Sequence, residues 1–81
     1  MTRLAIKSAE SGTIYSINLD SVNFYEVRDF DSESSQCAID FWFDNRKAKF
    51  LCNEGESKSF IHAQIKMCVA NGEILEVEKE F

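Results

Sequence analysis

Residues 36–52 read QCAIDFWFDNRKAKFLC, and this stretch decides the fold. In its first half Cys37, Ile39, Phe41 and Phe43 share one side of an extended chain, while Ala38, Asp40 and Trp42 share the other. That is the period of a strand, whose successive side chains point to opposite faces. A polar run, Asp44-Asn45-Arg46-Lys47, leads into a second alternating stretch in which Ala48, Phe50 and Cys52 share the apolar side. Two such runs joined by a short polar turn make a β-hairpin. With Asn45 and Arg46 as the loop, Phe43 faces Ala48, Phe41 faces Phe50 and Ile39 faces Cys52. The opposite side then pairs Asp44 with Lys47, Trp42 with Lys49 and Asp40 with Leu51. The first pair is a charge match and the second a cation–π contact. A slip of one residue would carry Lys47 and Lys49 into the core, so the alternation specifies which face is inside.

Working outward, residues 22–30 (VNFYEVRDF) are β-branched and aromatic and read as a strand. Residues 29–36 (DFDSESSQ) are polar and read as a loop. Upstream, 3–7 (RLAIK) and 13–19 (TIYSINL) alternate, the latter with Tyr15, Ile17 and Leu19 on one face. Between them SAESG, residues 8–12, is a turn whose Gly12 can take a positive φ. Downstream of the hairpin, Phe60, Ile61, Ile65, Cys68 and Val69 recur at helical spacing. Asn53 with Glu56 offers a capping box, Ser57 a second N-cap, and Asn71-Gly72 a stop. These signals predict a helix over about 54–71. The tail EILEVEKEF alternates again, with Leu75, Val77 and Phe81 on one face, and reads as a last strand. The expected architecture is α+β: a two-layer domain in which an antiparallel sheet of four to five strands, plus a C-terminal strand, packs against one helix. It is a single domain spanning 1–81.

Composition bounds the function. Hydrophobic residues make up 44% and charged residues 28% of the 81, the mix of a folded domain rather than a disordered chain. Seven Phe, one Trp and two Tyr supply enough apolar area to stabilise a small core without metals or disulfides. No apolar run approaches the roughly 18–20 residues of a membrane span, and the N-terminus has no apolar segment of an export signal. Three cysteines cannot all pair within the chain, and each falls on an apolar face. Three free, buried thiols in a reducing cytoplasm are expected.

The net charge of −5 is unevenly spread. Asp20 to Asp44 holds seven acids against Arg28 alone, whereas Arg46 to Lys66 holds five bases against Glu54 and Glu56. An acidic chain repels the phosphate backbone, so direct nucleic-acid binding is not expected. It suits a partner with a basic surface instead.

Catalytic apparatus is sparse. The one histidine, His62, and Cys68 point apart on the helix, and no CxxC or HxxxH spacing occurs. There is no phosphate-cradling glycine motif and no nucleophile elbow. The carboxylate pairs Asp29/Asp31 and Glu76/Glu78 belong to solvated positions. Neither an enzyme nor a metal or cofactor site is expected. The second face of the sheet is more informative. With Tyr25, Val27, Ile39, Phe41, Phe50 and Cys52 inward, that face carries Phe24, Glu26, Arg28, Phe30, Asp40, Trp42 and Leu51. Aromatics among charges on a face that one helix cannot also cover mark a partner surface, unless the N-terminal strand or the C-terminal tail folds over it. The expected contact residues are Trp42, Phe24, Phe30, Glu26 and Asp40. The expected function is binding of another protein, in the manner of an inhibitor that occludes a basic, nucleic-acid-binding site, as phage anti-defence and immunity proteins do. The alternative is a homodimer joined through the aromatic face.

Overall fold

The computed structural model describes residues 2–31 and 35–81, so the loop expected at 29–36 lies partly outside the described residues. The alternating segments form β1 (Arg3–Ser8), β2 (Ile14–Asn18), β3 (Phe24–Asp29), β4 (Cys37–Trp42), β5 (Lys47–Leu51), β6 (Ile74–Val77) and β7 (Lys79–Glu80). A 3₁₀ turn at Leu19–Ser21 links β2 to β3, and α1 spans Lys58–Asn71. The class is α+β, as the periodicities require. The strands are divided between two sheets, ordered β2-β1-β6 and β3-β4-β5-β7. All pairings are antiparallel except β1 with β6, which run parallel, with Ala5 beside Ile74 and Ser8 beside Val77. A parallel pair needs a long crossover, and everything from β2 to α1 intervenes here.

The two sheets are stitched together at Glu78. Its N–H donates to the Leu51 carbonyl of one sheet at 2.9 Å, and its own carbonyl accepts from Glu10 N–H at 3.0 Å beside the other. The C-terminal tail is therefore two short strands with a crossing between them. The crossing breaks the expected alternation: Leu75 and Val77 are buried, whereas Phe81 emerges on the outward face with Lys49, whose carbonyl accepts its N–H at 3.0 Å. The inward residues of both sheets and of α1 form one core, including Leu4, Ile6, Ile17, Val27, Ile39, Phe41, Phe50, Ile61, Ile65 and Val77. Tyr15 of one sheet meets Phe50 of the other edge-on at 5.4 Å.

The hairpin keeps the expected faces but shifts its register by two residues. Phe41 faces Ala48, Ile39 faces Phe50, Asp40 faces Lys49 and Trp42 faces Lys47. The loop is Asp44-Asn45, closed by Phe43 N–H to the Arg46 carbonyl at 2.9 Å. No described residue other than glycine takes a positive φ, so the turn closes without a left-handed residue at Asp44 or Asn45. Asp44 is tethered instead by the Asn23 side-chain amide at 2.9 Å. A two-residue shift leaves every side chain on its own face, which is why alternation alone does not distinguish the two registers.

The helix starts later than its first capping signal. Ser57 is the N-cap, its hydroxyl accepting from Phe60 N–H at 3.1 Å, and Asn53 lies outside the helix. Gly72, at φ 69°, ends it in the left-handed conformation, its N–H donating to the Cys68 carbonyl. Ile61, Ile65 and Cys68 face the core, Val69 is half-buried and Phe60 is exposed, so the buried stripe is narrower than the periodicity implies.

Candidate interaction face

The outward face of the β3-β4-β5-β7 sheet gathers most of the expected contact residues. Phe24 and Trp42 are direct cross-strand partners, and their rings stack at 5.4 Å with planes 16° apart. Lys47, opposite Trp42 on its other side, places its ammonium 4.2 Å from the indole centroid. The cation–π contact expected from Lys49 is thus made by Lys47, a direct consequence of the register shift. At the far end of the face Phe30 and Phe81 stack at 5.4 Å. The aromatic rings therefore stand as two stacked ridges rather than as flat platforms. Phe24 is 56% exposed, Phe81 51% and Phe30 43%, while Trp42 is half-buried between its neighbours. The C-terminal tail reaches this face and adds Phe81 to it. Ala38 and Leu51, cross-strand partners on the same face, are buried.

Asp40 departs from expectation. It is only 2% exposed, so it presents no charge to a partner. One carboxylate oxygen accepts from Arg28 Nε at 2.8 Å; the other, Oδ1, is buried without a hydrogen-bond partner among the described residues, as is Trp42 Nε1. Burial follows from position: Asp40 lies on an inner strand between Glu26 on β3 and Lys49 on β5, whose longer side chains rise on either side. The hydrogen bond to Asp40 pushes the Arg28 guanidinium above its ordinary pKa. Glu26 remains exposed. With Arg28, Lys47, Lys49 and Lys79 on this face beside the exposed Glu26, the aromatic ridges are edged mainly by cations.

The remaining chemistry is quiet. Cys37, Cys52 and Cys68 are free and buried. Burial raises all three thiol pKa values, that of Cys52 from the ordinary 9.0 to about 12. Cys37 is raised further by Asp29, whose carboxylate lies 4.0 Å from its sulfur. An attacking thiol needs the opposite shift. His62 Nδ1 lies 3.4 Å from the Tyr25 hydroxyl. A partly open cavity of about 10 Å³ between α1 and the sheets, lined by Ile39, Cys52, Phe60, Ile61 and Leu75, is too small for a substrate. An open depression of about 280 Å³ lies at the helix start, between Asp29, Cys37, Gly55 and Lys58. Among the described residues no group of three or more His, Cys, Asp or Glu is placed to hold a metal, and no helix is long and apolar enough to cross a membrane.

Phe81 is the face residue that strand alternation misses, because it assigns this side chain to the core side of the tail. The comparison with protein-family models matches no family, and those with curated proteins and solved structures return no relative and no structural neighbour.

Proposed function

We propose that this is a non-enzymatic protein of the cytoplasm that holds another protein against the outward face of the β3-β4-β5-β7 sheet. The observation that carries the reading is the pair of exposed, stacked aromatic ridges, Phe24 with Trp42 and Phe30 with Phe81. Large aromatics with an arginine between them are the residue types that dominate protein interfaces. Nucleic acid is the poorer fit. Both sides of the Trp42 ring are already occupied, by Phe24 and Lys47, so no base can stack on it. The contact itself is apolar at its centre and cationic at its edge. The chain's net charge of −5 steers a basic partner only at long range, so association slows with salt while dissociation changes little. A contact edged by cations does not itself complement a basic, nucleic-acid-binding site, so the occlusion expected from net charge is not assigned to this face. Three buried thiols with raised pKa values lack the shift an attacking thiolate needs, which favours binding over thiol catalysis.

The test is capture from the native host with wild type and with Trp42→Ala, followed by mapping of the captured protein by amide chemical-shift changes. The expected result is loss of capture in a folded variant, with shifts concentrated on β3, β4 and β5. A partner that binds the variant equally well, or that shifts only residues of β1, β2 or α1, refutes the assignment of this face.

A further inference from the structure

Strand β3 ends its sheet, and no described backbone group pairs with its outer side. Phe30 N–H donates to the Gln36 carbonyl of the β4 segment at 3.0 Å. In an antiparallel ladder the direction of bonding alternates residue by residue. Phe24, Glu26 and Arg28 therefore bond toward β4, and the N–H and C=O groups of Tyr25, Val27 and Asp29 point away from the sheet. Natural edges of this length are blunted by proline, charged side chains, bulges or a covering element. β3 spans Phe24–Asp29 and contains no proline, and its charges, Glu26, Arg28 and Asp29, are of both signs, so they select a register as well as blunt the edge. α1 packs on its inner side, with Lys58 Nζ 3.3 Å from Asp29 and His62 beside Tyr25.

We infer that this edge pairs with the same edge of a second copy, antiparallel about a two-fold axis at Val27. The register is chosen by the residues themselves. With Val27 opposite the partner's Val27, the free backbone groups of Tyr25 meet those of the partner's Asp29, and both hydrogen bonds of each pair form. On the outward face Glu26 then stands opposite the partner's Arg28, and Arg28 opposite the partner's Glu26. Phe24 stands opposite the partner's Phe30. The two neighbouring registers that keep the same faces fail on charge. One sets Glu26 against the partner's Glu26, and the other sets Arg28 against the partner's Arg28. Self-complementarity of this kind is what a two-fold interface requires. Of the other terminal strands, β2 presents Ile14, Ser16 and Asn18 outward and offers no charge pairing, while β6 and β7 are only four and two residues long.

The pairing runs the two four-stranded sheets into one, so the Phe24–Trp42 ridge of one protomer continues into the Phe30–Phe81 ridge of its partner. The second copy is thus the occupant of the edge, while the face above it stays open. The dimer stands on the edge and does not depend on the face holding a further protein.

The test combines sedimentation with amide hydrogen exchange. Wild type is expected to be a dimer whose Tyr25, Val27 and Asp29 amides are protected at high concentration and lose protection on dilution. The Glu26 and Arg28 amides, bonded within the protomer, stay protected throughout. Glu26→Arg sets two cations against two cations across the axis, while placing a cation beside the buried Asp40 of its own chain. It is expected to weaken the dimer on the order of ten- to a hundred-fold without unfolding the protomer. A chain that is monomeric at all concentrations overturns the inference. So does a dimer whose Tyr25, Val27 and Asp29 amides exchange freely, a readout that needs no variant. A monomer that still loses its captured partner on Trp42→Ala refutes the dimer alone and leaves the proposed function standing.

Discussion

At the scale of single residues, the decisive side chain is Asp40. A carboxylate on an alternating strand between Phe41 and Ile39 reads as solvent-facing, yet it is buried against Arg28. The reason is lateral: on an inner strand, long neighbours on both sides close over a short one. Arg28 is itself one-third exposed, so the ion pair is half-sheltered, and the unpaired Oδ1 adds a cost. Arg28→Ala should destabilise by about 2–3 kcal/mol, because it leaves a buried carboxylate without its cation. Adding Asp40→Asn to that variant should recover part of the loss in denaturant titrations. A variant within about 0.5 kcal/mol of wild type would show that Asp40 is solvated. The thiols give a pH signature. The folded state holds the Cys52 proton up to about 12, whereas the unfolded chain releases it near the ordinary 9.0. Between those values the folded state binds more protons, so stability falls as pH rises through the window and is fully present below it. The melting temperature should drop from pH 9 toward 11, and more shallowly in Cys52→Ala. An equal slope in both would remove Cys52 as the cause.

At the scale of elements, the helix and the hairpin show how local signals compete. Two caps were available to α1, Asn53 with Glu56 and Ser57. The chain uses Ser57 because Gly55, at φ 83°, turns the backbone between them. Ser57→Ala should cost about 1 kcal/mol through the lost bond to Phe60 N–H. Asn53→Ala should cost under about 0.5 kcal/mol, since its amide makes only an exposed 3.4 Å bond to the Glu76 carbonyl. Thermal melts of the two variants decide between the caps: a larger loss at Asn53 would move the helix start upstream. In the hairpin, the shift to Asp44-Asn45 sets the Arg46 guanidinium 4.4 Å from the Phe43 ring and Lys47 over Trp42. Both contacts act across the same turn, and the expected register would have formed neither.

At the scale of the whole molecule, stability rests on one core shared by two sheets and a helix. Phe41 is completely buried, edge-on to Phe50 at 6.0 Å and tilted against Tyr25 at 5.8 Å. Phe41→Ala should cost roughly 3–5 kcal/mol. A domain of this size holds only about 4–12 kcal/mol in total at 0.05–0.15 kcal/mol per residue. The variant should therefore be largely unfolded or melt far below wild type. A cooperative melt within a few degrees of wild type would contradict the packing described. Both sheets should be lost in one transition, because Glu78 hydrogen-bonds to Leu51 of one sheet and to Glu10 beside the other, and the inward residues of both sheets form one core.

The sequence by itself determined the period of each segment, and with it the α+β class, the existence and C-terminal stop of α1, and the inward set led by Ile39, Phe41 and Phe50. It also determined the burial of the three cysteines, since each sits at an apolar position of its own element. These properties are local, settled by backbone geometry within a few residues. Tertiary structure alone decided which strands lie side by side. The parallel pairing of β1 with β6 joins residues separated by nearly the whole chain, and no periodicity encodes it. It also decided the hairpin register, because a two-residue slip preserves every face. The burial of Asp40 and the emergence of Phe81 beside Phe30 belong to the same class. Each depends on what stands on the neighbouring strand, and a strand's own alternation carries no record of its neighbours.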